Sequence, residues 1–147
     1  MEKIFWIVLI FLIGALLPVQ VGLNTRLGKI AGSPALASQL SFTIGALVML
    51  CYVLFTRQAA AWGELKQAPL YLWLGGVIGA VYITVTILAF PKLGPGLMFG
   101  LIVAGQMTAS VFLEHKNILV AQAQPVNLMK ILGVLLIVAG VFIVRKY

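Results

Sequence analysis

Five apolar tracts, each close to the length of a bilayer crossing, dominate this chain: residues 4–23, 35–55, 70–90, 97–113 and 128–144. A helix rises about 1.5 Å per residue, so roughly 20 apolar residues cross a hydrocarbon core about 30 Å thick. Each tract is therefore expected to be a transmembrane helix. The fifth is the least regular, because Lys130 sits near its start.

Composition agrees. Of 147 residues, 63% are hydrophobic and 9% charged, and the mean hydropathy is +1.14. That is more apolar surface than one soluble core can hide, so lipid must act as solvent. The segments between tracts are short: Gly32-Ser33-Pro34, residues 56–69, Pro91-Lys92-Leu93-Gly94-Pro95 and residues 114–127. None is long enough for an independent soluble domain, and there is no internal repeat. The expected architecture is an all-α integral membrane protein with one transmembrane domain over 1–147. The first tract is 20 residues long and runs directly into Gly22-Leu23-Asn24-Thr25-Arg26. It is read as a retained helix, not a cleaved signal peptide. Cys51 is the single cysteine, so it has no intramolecular disulfide partner.

The formal net charge of +7 does not point to nucleic acid. Lys3, Arg26, Lys29, Arg57, Lys66, Lys92, Lys116, Lys130, Arg145 and Lys146 flank the tracts, where they can snorkel to lipid headgroups. Trp6, Trp62, Tyr71, Trp73 and Tyr147 lie at or near the expected ends, suiting amphipathic rings at the interface. Membrane lipid is thus an expected partner and nucleic acid is not.

An odd number of crossings places the termini on opposite sides. Lys3, Arg57, Lys66, Lys116 and Lys130 then share the amino-terminal face, and Arg26, Lys29, Lys92, Arg145 and Lys146 the other. An excess of cytoplasmic Lys and Arg sets orientation, and an even division selects neither topology. Both orientations inserting together would build an antiparallel homodimer, the inverted-repeat arrangement of many transporters. A single fixed orientation with a chance balance is the alternative.

Polar side chains within the tracts carry the functional signal, because hydrocarbon cannot satisfy their hydrogen bonds. Gln20, Gln39 and Gln106 stand out. Gln20 and Asn24 are four residues apart, just after Pro18, so their amides could project together into an interior cavity, Gln20 the deeper. Gln106, Ser110 and Glu114 form an i, i+4, i+8 stripe, and His115 follows. Two roles suit these groups: substrate ligands with Glu114 and His115 at a gate, or interhelical glue with a solvated helix end. Gly75, Gly79 and Thr86 share a face, as do Gly96, Gly100, Ala104 and Thr108, and Gly133 and Gly140 lie two turns apart; these suit close helix packing. No metal-ligand cluster, nucleophile elbow or P-loop is present, so no enzyme activity, metal or cofactor is expected.

Several motifs stand out: Gly14-Ala15-Leu16-Leu17-Pro18-Val19-Gln20 with Asn24-Thr25-Arg26-Leu27-Gly28, then Ser41-Phe42-Thr43-Ile44-Gly45, and Gly75-Gly76-Val77-Ile78-Gly79-Ala80-Val81-Tyr82. They resemble the YdcZ-type branch of the drug/metabolite transporter superfamily. The likeness continues through Pro91-Lys92-Leu93-Gly94, Ala104-Gly105-Gln106 and residues 132–141. It implies a five-helix exporter of the bacterial inner membrane, related to small multidrug transporters. Those carry an essential glutamate in their first helix, whereas this chain has Gln20 there. Where the family pattern has Asp-His at the end of the fourth helix, this chain has Glu114-His115.

Taken together, these features lead to a secondary transporter, an exporter of a small metabolite or amphipathic compound by alternating access at an antiparallel dimer interface. Gln20, Asn24, Gln106, Ser110 and Tyr82 are the candidate substrate-binding residues, with Glu114 and His115 the candidate coupling or gate residues. A dual-topology ion channel and a non-transporting assembly partner are the alternatives.

Overall fold

The computed structural model describes residues 2–58 and 62–146, apart from the side chain of Trp62. The described residues form α1 (Glu2–Ile30), α2 (Pro34–Phe55), the short α3 (Trp62–Leu65), α4 (Leu74–Leu93), α5 (Pro95–Lys116) and α6 (Leu128–Lys146). A 3-10 turn, Leu70–Trp73, leads into α4. Helix is the expected form, because a spanning segment must satisfy its own backbone groups. Five helical stretches among the described residues are long and apolar enough to cross a membrane: Glu2–Ile30, Pro34–Phe55, Leu70–Leu93, Pro95–Lys116 and Leu128–Lys146.

Several helices outrun their expected ends. α1 continues past Leu23 to Ile30, where polar residues turn toward protein: Asn24 and Thr25 are buried, and Thr25 Oγ1 donates to the Val21 carbonyl at 2.8 Å. Hydropathy marks where lipid contact ends, not where the helix ends. The Pro91–Pro95 segment is tighter than expected. α4 runs through Pro91 to Leu93, and only Gly94, at φ +75°, breaks the path before Pro95 opens α5. Proline is tolerated at that first position because its missing N–H would have no helical partner there. α5 then reaches Lys116, which puts Glu114 and His115 in its last turn.

The chain divides into two compact units, Met1–Pro91 and Lys92–Tyr147. In the first, α1 turns into α2 through Gly32, which takes φ +68°. Ser33 caps α2 by accepting from the Leu36 N–H at 3.3 Å, with Pro34 as the first helical residue. Ala37, Ile83 and Ile87 form the core, with Leu27 against them. Gly28 permits this approach: a Cβ there would already touch Pro34, Ala37 and Ile87 at 3.5 Å. Thr84 Oγ1 shares its proton between Ser38 Oγ at 3.0 Å and the Ala80 carbonyl at 2.8 Å, tying α2 to α4.

In the second unit α5 packs on α6 through glycine. A Cβ on Gly100 would lie 2.9 Å from a Val141 methyl, and one on Gly96 3.3 Å from Val144. Two members of the expected stripe thus form a packing face. Gly105, Gly133 and Gly140 meet nothing within 4 Å.

The buried apolar side chains among the described residues are Val21, Ala37, Ile83, Ile87, Met98 and Val141, whereas most large apolar residues face outward, Phe11 at 75% and Leu136 at 72% exposure. Such a distribution is that of a protein dissolved in lipid. Trp6, Tyr71 and Trp73 are exposed near helix ends, while Tyr147 and the Trp62 side chain lie outside the described residues.

Candidate functional site

In the first unit, one helix each from α1, α2 and α4 contributes to an open groove of about 480 Å³. α1 supplies Gln20; α2 supplies Ser41, Phe42, Gly45, Ala46 and Met49; α4 supplies Gly79, Tyr82 and Ile83. These sets follow i, i+3 and i+4 spacing, so each helix presents one face. Gly45 and Gly79 leave room that a side chain would fill, and the Phe42 ring rests 3.5 Å from where a Cβ of Gly79 would stand. The upstream kink signal has a backbone consequence as well: Pro18 lies inside α1 and has no N–H, so the Gly14 carbonyl lacks its usual helical donor.

Chemically, the groove is an apolar trough with a few hydrogen-bonding points. The Gln20 amide can donate and accept, as can the Ser41 hydroxyl and the Tyr82 phenol. No lining residue is charged. Such a surface suits a small amphipathic molecule with a neutral polar group.

The expected residues distribute unevenly. Gln20 and Tyr82 come together in the groove. Asn24 does not join them. It is buried at 7% exposure, and its Nδ2 has no hydrogen-bond partner within the described chain. Gln20 is exposed. Asn24 therefore does not line the groove that holds Gln20. The reason is local packing. Asn24 lies one turn from Gly28, where α1 meets α2 and α4, whereas Gln20 lies one turn further away. Gln39 is exposed on α2.

In the second unit Gln106 and Ser110 are exposed on α5. Glu114 is paired: Lys130 Nζ donates to its Oε2 at 2.7 Å. Around this pair the loop after α5 folds back. The Gln124 N–H donates to the Glu114 carbonyl at 3.2 Å, the Val126 N–H to His115 Nδ1 at 3.4 Å, and Asn127 Oδ1 accepts from the Lys130 N–H at 2.8 Å, capping α6. Asn117 ends α5 in the left-handed region at φ +54°, a conformation asparagine adopts readily.

Sequence reasoning gave no role to Ser41, Phe42 or Gly45. Their signal was available in the i, i+4 pair Ser41 and Gly45, a hydroxyl beside an absent side chain on one helix face.

Residues 5–143 match a protein-family model described as "Putative inner membrane exporter, YdcZ". No curated protein and no solved structure matches the chain. Five apolar helices of crossing length and a family match over nearly the whole chain identify it as a multi-pass inner-membrane protein belonging to the YdcZ family.

Proposed function

We propose that this chain is a secondary exporter of a small amphipathic compound, held in the groove of the first unit by Gln20, Ser41 and Tyr82 and moved by alternating access. The observation carrying this reading is the groove itself: three uncharged hydrogen-bonding side chains from three different helices on an otherwise apolar wall. Neutral donors and acceptors recognise a polar head without trapping it, and the apolar wall takes up the rest of the molecule. The buried, unpartnered Asn24 Nδ2 adds a donor that a change of packing would bring into use, since an unpaired buried amide is costly to leave unmade.

The working unit in this proposal is an antiparallel homodimer within the drug/metabolite transporter superfamily. Its support is the even division of Lys and Arg between the two membrane faces. Gln106 and Ser110, exposed on α5, complete the substrate path in that dimer, and Glu114 and His115 serve as a gate at its mouth.

Uptake of a neutral dansyl amide into vesicles containing the reconstituted chain tests the transport reading. Saturable, counterflow-competent flux that falls about tenfold or more in Gln20→Ala, with that variant still folded and inserted, is the expected result. Unitary currents in place of saturable flux would favour a channel.

A further inference from the structure

We infer that a second cleft of the first unit, at the carboxyl-terminal part of α1, binds an anionic phospholipid. Its volume is about 460 Å³, and its wall includes Val19, Leu23 and Phe90 together with Arg26 and Lys29. Arg26 and Lys29 are three residues apart and so project from one helix face. Neither is paired with a carboxylate among the described residues. Two unneutralised cations at one cleft call for an anion.

Which anion follows from the order of residues along the helix. The apolar members, Val19 and Leu23, belong to the end of the lipid-facing tract, and Leu23 is 63% exposed. Arg26 and Lys29 come one and two turns later, at the level where the tract gives way to headgroups. Phe90, from α4, lies against Gly22, close enough that a Cβ there would sit 3.7 Å from its ring. A molecule filling the cleft therefore meets hydrocarbon along one part and two cations at the other. That is the profile of a phosphodiester on acyl chains, and basic clefts between transmembrane helices take such headgroups. Arginine adds a planar fork matched to phosphate oxygens, and lysine a point charge beside it. A free phosphate would leave the apolar wall unused. The site is distinct from the Gln20 groove and does not depend on transport.

Native mass spectrometry of the purified full chain, titrated with phosphatidylglycerol or phosphatidylcholine, tests the assignment. Phosphatidylglycerol should bind the more tightly, and Arg26→Gln/Lys29→Gln should weaken it about thirtyfold, the loss expected for two interfacial cations. Phosphatidylcholine binding should be unchanged. The charge-preserving Arg26→Lys/Lys29→Arg variant should retain the preference. Arg57→Gln/Lys66→Gln, which removes the same charge elsewhere, should also keep it. Unaltered phosphatidylglycerol binding in Arg26→Gln/Lys29→Gln would overturn the site, as would an equal loss in Arg57→Gln/Lys66→Gln. Displacement of the lipid by millimolar glycerol phosphate would make this a soluble-phosphate site and overturn the lipid assignment.

Discussion

Lys130 Nζ lies 2.7 Å from Glu114 Oε2, joining the last turn of α5 to the first turn of α6. Both side chains are partly exposed, at 34% and 22% for Glu114 and Lys130 respectively. Solvent therefore screens the pair, and its coupling should be about 1 kcal/mol. A double-mutant cycle of Glu114→Gln and Lys130→Gln, read by thermal unfolding in micelles, measures it. The exchanged pair Glu114→Lys/Lys130→Glu separates two roles. It should recover most of the lost stability; if Glu114 also gates transport, it should not recover flux.

Gly100 should tolerate no side chain while Val141 stays in place. Alanine there meets a Val141 methyl at 2.9 Å, and overpacking of this kind costs about 1–3 kcal/mol. Val141→Ala in the same chain should relieve part of the cost. Gly133→Ala, with nothing within 4 Å, should be neutral or stabilising by up to about 1 kcal/mol. Unfolding of the three variants in one detergent would rank them.

Asn24 should show opposite effects on stability and on transport. Its Nδ2 is buried without a partner, and Asn24→Leu removes that donor while keeping the side chain's branching. Stability should hold or rise by about 1 kcal/mol, while flux falls. Lower stability with normal flux would assign Asn24 to packing alone.

Gly94 carries φ +75° at the junction where α4 ends and α5 begins. Open space surrounds it, so any penalty for Gly94→Ala is conformational, about 1–2 kcal/mol. Gly94→Asn should cost less, because asparagine visits this region more readily. A comparison of their melting temperatures checks the order.

The helices were legible because each tract had to match the bilayer, a constraint with a length built into it. Their ends were less so. α1 outran its apolar tract because Asn24, Thr25 and Gly28 pack on protein, and α4 passed through Pro91 to Leu93 although the missing N–H leaves the Ile87 carbonyl without its usual helical donor. At the candidate site, Gln20 was readable as a polar group within an apolar tract and Tyr82 through the motif it closes, yet their meeting with Ser41 depends on how three helices cross. That crossing is set by Gly28, Gly79 and Phe42, which hydropathy does not rank. The pairing of Glu114 with Lys130 was hidden for a similar reason. Its partners are separated by a loop that folds back through Gln124, Val126 and Asn127, so no helical periodicity connects them.

The most direct test of the export reading is dansyl-amide flux through vesicles containing wild-type chain, Gln20→Ala, Tyr82→Phe or Ser41→Ala, with insertion and folding measured in parallel. Saturable wild-type flux that falls about tenfold in Gln20→Ala, and by smaller factors in the two hydroxyl variants, is the expected result. Wild-type flux matched by all three folded variants would contradict a substrate site in the Gln20–Ser41–Tyr82 groove.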